Sequence, residues 1–243
     1  MEWAGENPPI SAILQVYAMN TEPIVASFFT AYGSMILYML DGTWTAVKLF
    51  GLTVLISLPL GLVVARGRLS RRAWLNAPIR IYLLVMRGTP LLLQLIFFMY
   101  APPFLLGIPV NRFLAAVIAF ALNYAAYFAE IYRGGIESVP VGQYEAGKVL
   151  GLTTNQTFFR IILPQVVKRI MPACGNEFMT LVKDTALAQT IGVAELFRAA
   201  QNSSSRQVSI FPIVIAGVFY LIMNAVVSTG FSFAERKFDY YRS

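Results

Sequence analysis

Five apolar runs, each about as long as a bilayer is thick, leave this chain few folds to choose from. They lie at 42–65, 83–101, 113–132, 172–193 and 210–231, and a helix crosses the hydrocarbon core with about 20 such residues. Within lipid every backbone N–H and C=O must be bonded inside its own segment, so runs of this length are expected to be helices. The expected fold class is therefore an all-α integral membrane protein with five transmembrane helices. Composition agrees, with 57% hydrophobic and 13% charged residues, the latter about half the usual share of a soluble domain. This is not the make-up of a soluble enzyme. The absence of His excludes His-based triads, zinc-protease signatures and His proton relays. Cys174 is the sole cysteine, so no intrachain disulfide can form.

Lys and Arg placement orients the runs, because basic residues stay on the cytoplasmic side. Arg66, Arg68, Arg71 and Arg72 follow the first run, Arg133, Lys148, Arg160, Lys168 and Arg169 follow the third, and Arg236, Lys237 and Arg242 follow the fifth. Only Arg112 stands between the second and third. The amino end is expected outside and the carboxyl end in the cytoplasm of a bacterial inner membrane. No Lys or Arg precedes Lys48, while Glu2, Glu6, Glu22 and Asp41 do, which is unlike a secretory signal peptide. The apolar stretch 24–40 could span, but only an Asp41–Gly42 turn would then separate it from the next run. Residues 10–40 are expected instead as one or two helices along the outer surface. The division is thus an amino-terminal interfacial segment at 1–40, one transmembrane domain at 41–236 and a cytoplasmic tail at 237–243. Pro59 and Gly61 suggest a kink in the first span, and Pro102–Pro103 should end the second. The net charge of +7 sits at the ends of the runs and not on an aromatic-interleaved stripe, so no nucleic-acid partner is expected. No internal repeat is visible, which weighs against an inverted-repeat secondary transporter.

One polar stretch, at 143–164, interrupts the apolar pattern. Pro140 permits a helix to start near 141–143, Gly151 can end it in the left-handed conformation, and Thr153 or Thr154 can cap a second helix. On that second helix Phe158, Ile161 and Ile162 share a face that needs covering, and Leu163–Pro164 should end it. A phosphate-binding loop fits Gly142 to Lys148 but fails at Val149, which offers magnesium no hydroxyl.

The same stretch resembles the EAA signature of ABC importer permeases: Glu145-Ala146-Gly147, then Gly151, then Ile161 and Leu163-Pro164, with Gly147 standing where the signature has a second Ala. Arg87-Gly88-Thr89-Pro90 running on to Gln94, and Val182 to Leu187, resemble hallmark segments of the polar amino acid branch, which includes histidine, glutamine, arginine and cystine permeases. The resemblance implies a type I ABC importer permease whose EAA loop, at 140–164, is a coupling element seated in an ATPase subunit. It implies no cofactor in this chain, ATP and Mg being bound by a dimer of partner ATPase subunits. It also implies a second copy or a related permease, an extracytoplasmic substrate-binding protein and a polar amino acid as cargo.

Polar residues inside apolar runs are candidates for the pathway. Gln94, Asn123 and Tyr124 fall at mid-span depth, where each could line the pathway or simply bond a neighbouring helix. Glu177 and Asp184 recur seven residues apart on one helix face, about 10 Å along its axis, with Lys183 directed elsewhere. They could hold the cargo's ammonium group, or Lys183 or a neighbouring helix could neutralise Asp184 and nothing more. Arg80 and Arg87 could be a pair snorkelling to the inner interface. The Gly88-Thr89-Pro90 interruption frees backbone carbonyls and is read as part of an inner gate with Arg87. An ABC importer for another solute, and an unassisted secondary transporter using Glu130 as an ion relay, remain the alternatives.

Overall fold

A computed structural model describes the backbone of residues 10–238 and the side chains of residues 32–236. Its centre is α4 (Arg112–Glu137), and alanine explains why. Ala115, Ala116, Ala119, Ala121, Ala125, Ala126 and Ala129 are all buried. Between helices in lipid there is no hydrophobic drive, so association depends on close packing, which small side chains permit. The neighbour that exploits this most is α1 (Ile10–Arg68), which buries Leu49, Thr53, Ser57 and Ala65 at helical spacing. Asn111 starts α4 by accepting from the N–H groups of Phe113 and Leu114 at 2.9 and 3.2 Å.

Another stripe of α4 is aromatic. Phe120, Tyr124, Phe128 and Tyr132 follow one another at centroid distances of 6.4, 6.4 and 6.3 Å. Phe128 also meets Phe178 of α7 (Leu163–Asp184) at 5.6 Å. Phe178 in turn meets Phe231 of α9 (Phe211–Phe238) at 4.7 Å and Phe50 of α1 at 6.0 Å. One ring cluster therefore ties together four helices.

Several expected boundaries move. Asp41 and Gly42 make no turn: α1 is continuous over 59 residues, roughly 88 Å of axis and about twice a bilayer with its headgroups. Gly42 serves close approach instead, since a Cβ there would lie 3.0 Å from the backbone of Glu195 and Leu196. The second run is a broken pair, α2 (Ala73–Gly88) and α3 (Leu91–Leu106), bent by 110°. Pro102 and Pro103 lie inside α3, which ends at the left-handed Gly107. The fourth run does not start at Pro172, which lies inside α7. Beyond Asp184 comes a 3-10 turn, Thr185–Ile191. A further helix, α8 (Leu196–Gln207), was not expected; it buries Leu196, Ala199 and Ala200 in a cluster with Met35, Met39 and Ala216.

Three described helices are long and apolar enough to cross a membrane: 32–68 of α1, α4, and 211–236 of α9. The bent α2–α3 pair makes a fourth if counted as one span. The expected fourth span falls mostly in α7, which carries Lys168, Arg169, Glu177, Lys183 and Asp184 within its 22 residues, too charged to qualify by apolarity.

Candidate transport pathway and docking hairpin

The break between α2 and α3 follows from Pro90, which has no N–H to donate and excludes helical geometry at Thr89, seen extended at φ −115° and ψ 147°. A break inside a membrane domain exposes carbonyls that something must bond. Gln94 does this, its Nε2 donating to Met86 O, Thr89 Oγ1 and Thr89 O at 2.9, 2.9 and 3.2 Å. Asn123 on α4 donates to Met86 O at 2.9 Å and to Gln94 Oε1 at 3.0 Å. The two are only 7% and 4% exposed. The structure thus brings together two residues read as pathway candidates, and the work visible in their geometry is to hold the break. Tyr82 adds a bond of 2.5 Å from its hydroxyl to Leu122 O.

Glu177 and Asp184 are both half-buried on α7, and Lys183 is exposed, as their spacing requires. The Tyr124 hydroxyl donates to Asp184 Oδ2 at 2.7 Å, which joins a third candidate to the acids. Among the described residues no cation lies within ion-pair distance of either carboxylate. Arg87 reaches Glu177, and Lys183 reaches Asp184, only as longer-range charges. Two acids on one face, with a hydroxyl but no cation in contact, can accept hydrogen bonds from a cationic group.

Further along α4, Glu130 is held from three elements. Arg133 bonds both its oxygens at 3.1 and 2.7 Å; Arg87 stands 3.6 Å away and Arg68 3.9 Å. Arg133 also pairs with Glu137. A carboxylate so surrounded is a tie between α1, α2 and α4, which leaves little scope for it as a free ion relay. Arg80 and Arg87, read together as a snorkelling pair, take different partners. Arg80 bonds Asn76 at 2.9 Å, whereas Arg87 turns to α4, with its guanidinium carbon 5.5 Å from the centroid of the Tyr127 ring.

The polar stretch is a helical hairpin. Its first helix, α5 (Val141–Val149), ends in a turn with Gly151 at φ +72°. Its second starts as α6 (Thr154–Thr157), capped by Thr153, whose Oγ1 accepts from Gln156 N at 3.3 Å while Gln156 Oε1 accepts from Thr153 N at 2.9 Å. Leu163–Pro164 does not end this helix. Pro164 cannot donate to the carbonyl one turn back, and the chain absorbs the lost bond in a π-helical turn, Phe158–Ile162, before continuing as α7. The second helix of the polar stretch and the acid face therefore lie on one continuous helical path. Ile162 is buried with Val139 and Val166, and Phe158, Ile161 and Tyr144 pack around them.

Glu145 and Ala146 are exposed, and Gly147 is buried. A Cβ at 147 would lie 2.5 Å from Thr157 Oγ1, so the departure from the EAA pattern is matched by a bulkier neighbour across the turn. Sequence reasoning missed the surface beside Glu145: Val149, Leu150 and Phe159 are 87%, 72% and 63% exposed. The available signal was their position off the buried stripe of Ile161 and Ile162.

Residues 57–240 match the family of binding-protein-dependent transport system inner membrane components, and the chain belongs to that family. It has the all-helical type I ABC permease fold and is a transmembrane permease subunit of an ABC importer. Among its relatives, the L-cystine transport system permease protein TcyB of Bacillus subtilis is 40% identical over 202 residues, covering 82% of this chain and 86% of TcyB. The arginine transport system permease protein ArtQ of the same organism is 34% identical over 210 residues, covering 86% and 96%. The putative glutamine transport system permease protein GlnP of Rickettsia prowazekii is 34% identical over 211 residues, covering 86% and 97%. The crystal structure of an amino acid ABC transporter with histidines superposes with a TM-score of 0.78 at 35% identity, over 86% of this chain and 98% of that one.

Proposed function

We propose that this subunit passes polar amino acids, cationic or neutral in preference to acidic, into the cytoplasm by alternating access, and that Glu177 and Asp184 hold the cargo's ammonium group. The observation that carries the reading is the pair of half-buried acids on α7 with no cation in contact among the described residues. Relatives named for cystine, arginine and glutamine transport support an amino acid as cargo. An ammonium group leaving water needs charge-assisted bonds to replace those it loses, and carboxylates supply them. Tyr124 orients Asp184; Gln94 and Asn123 set the break at Gly88-Thr89-Pro90, about which α3 moves relative to α2 as the inner gate opens.

In this reading α7 and the bent α2–α3 pair complete five spans, with the amino end outside and the carboxyl end in the cytoplasm of a bacterial inner membrane. Residues 41–236 form the transport domain. Two ATPase subunits, which bind ATP and Mg, receive the hairpin through Glu145, Ala146 and the apolar surface of Val149, Leu150 and Phe159. Gly147, Gly151, Ile161, Leu163 and Pro164 shape the hairpin. A second copy or a related permease closes the pathway, and an extracytoplasmic binding protein delivers cargo.

The test is substrate-stimulated ATP hydrolysis in reconstituted complexes carrying Asp184→Asn or Glu177→Gln. Each is expected to raise the half-saturating concentration of a cationic amino acid about tenfold, equivalent to ~1.4 kcal/mol. Full stimulation and uptake in both variants would overturn the pathway assignment. Glu145→Lys separates docking from binding: the complex should lose its ATPase subunit or hydrolyse ATP without responding to substrate, and normal transport would remove the hairpin from the coupling role.

A further inference from the structure

The turn that joins α1 to α2 carries positive charge that the described part of the protein leaves unneutralised. Residues 62–81 include five arginines and neither Asp nor Glu. Of the five, Arg68 stands near an acid, Glu130 at 3.9 Å. Arg66, Arg71, Arg72 and Arg80 are exposed and have no ion pair among the described residues. Hydrogen bonds hold the turn in shape. Asn76 Nδ2 donates to Arg68 O at 2.7 Å and to Ser70 O at 3.2 Å, and Ser70 Oγ accepts from Arg72 N at 3.2 Å. Asn76 Oδ1 accepts from both Arg68 Nη1 at 3.1 Å and Arg80 Nε at 2.9 Å. Two guanidinium groups on one neutral oxygen repel each other. An anion arriving from outside would relieve that repulsion and take the unused donors of Arg80.

An apolar surface lies beside this charge. Trp74 is 69% exposed, and Ile81, Leu84 and Val85 are exposed with it. Together with Ala77 and Pro78, also exposed, they recur at helical spacing along one face of α2, and helical period sets Arg80 at its border. On α1 the exposed Leu62 and Val63 come just before Arg66, and the apolar helix 32–68 ends at Arg68, so the turn falls at the end of a span, at headgroup level. A free anion has no use for the apolar row. A lipid with a charged phosphate and two acyl chains matches both surfaces, and Trp beside arginine suits the membrane–water interface. We propose that the α1–α2 turn is a binding site for an anionic phospholipid, whose phosphate is held by Arg71, Arg72 and Arg80 and whose acyl chains run along the exposed row of α2. Because α2 leads from this turn to the 110° break, a lipid bound here fastens one half of the broken pair to the membrane surface.

The experiment uses the purified complex with its ATPase subunits in detergent. Phosphatidylglycerol or phosphatidylcholine with the same acyl chains is added, and native mass spectrometry counts the lipid retained. The complex is expected to retain phosphatidylglycerol at about tenfold lower concentration than phosphatidylcholine. That preference should fade when salt shortens the Debye length from about 10 Å to about 3 Å. The triple variant Arg71→Gln, Arg72→Gln, Arg80→Gln should lose the preference while retaining phosphatidylcholine as the parent does. If it does not assemble, Arg80→Gln alone leaves the turn arginines in place and should weaken retention of phosphatidylglycerol about threefold. Equal retention of the two lipids by the parent would overturn the proposal. A preference undiminished in the arginine variants would do the same and leave these arginines to a protein partner. Displacement of phosphatidylglycerol by an equimolar amount of inorganic phosphate would also overturn it, making the turn a site for a free anion.

Discussion

Val208, where α8 ends, has φ +49° and is 93% exposed. A β-branched side chain in the left-handed region crowds the backbone, and nothing buried around it offsets this. Val208→Gly is expected to raise the stability of the purified subunit by about 0.5–1 kcal/mol, read as a higher thermal unfolding midpoint in detergent. A lower midpoint would mean that Val208 makes a contact worth more than its strain. Glu195, at the other end of α8, is fully buried with its needs met: its carboxylate accepts from Phe197 N at 2.6 Å, Arg198 N at 2.8 Å and the Tyr220 hydroxyl at 3.0 Å. It caps α8 and fixes that helix to α9, which is a structural reason for a buried acid. Among the described residues Glu177 and Asp184 have no comparable set of donors, and that difference in partners separates the candidate site from the structural acid.

Among the elements, the hairpin has the narrowest tolerance. Gly147→Ala would place a methyl 2.5 and 2.6 Å from Thr157 Oγ1 and Cγ2, so α5 must move away from α6 or Thr157 must turn. Overpacking of this kind costs about 1–3 kcal/mol, and here it would shift the surface carrying Glu145. We expect Gly147→Ala to reduce the ATPase subunit retained on purification and Thr157→Ala to restore it in the double variant. Retention unchanged in the single variant would show that the hairpin adjusts without cost. The π-helical turn at Phe158–Ile162 matters at the same scale. By continuing into α7 rather than stopping at Pro164, the chain carries the hairpin's second helix and the face of Glu177 and Asp184 on one helical path.

At the scale of the whole molecule, four Phe rings fix α1, α4, α7 and α9 together, while α2 and α3 join the same core through Leu83 and Leu95 and add polar contacts at the break: Gln94, Asn123, Tyr82 and the Glu130 network. Ring packing resists sliding, whereas the bonds at the α2–α3 break are hydrogen bonds, which can be remade in a second geometry. Glu130→Gln would leave Arg68, Arg87 and Arg133 close together without their shared acid. Because the group is partly solvated, with 17% of its side chain exposed, the expected loss is at the lower end for a broken ion pair, about 1–3 kcal/mol. It should appear as a reduced thermal midpoint and as faster protease cleavage in the 69–72 loop between α1 and α2. An unchanged midpoint would show that the arginines are satisfied by solvent.

Local chemistry was enough for the features that act over a few residues. The helical class follows from backbone satisfaction in lipid, a cap at Thr153 or Thr154 from their hydroxyls (the structure uses Thr153), the left-handed turn at Gly151 from the missing side chain, and the break at Thr89–Pro90 from the missing N–H. The shared face of Glu177 and Asp184 follows from helical period alone. The failures came where a residue's partner is distant in sequence. Asp41–Gly42 has the composition of a turn, yet Gly42 is needed for contact with Glu195, 153 positions later. Pro164 reads as a helix end and Pro172 as the start of a span, yet packing from Ile136, Val139 and Tyr144 accompanies one helix that continues through the π turn. Gln94 and Asn123 looked alike as pathway residues until Met86 O, between them in space and 37 residues from Asn123 in the chain, proved to be a shared acceptor. Which polar group is left free, and which is already taken, is decided by partners that only the folded chain assembles.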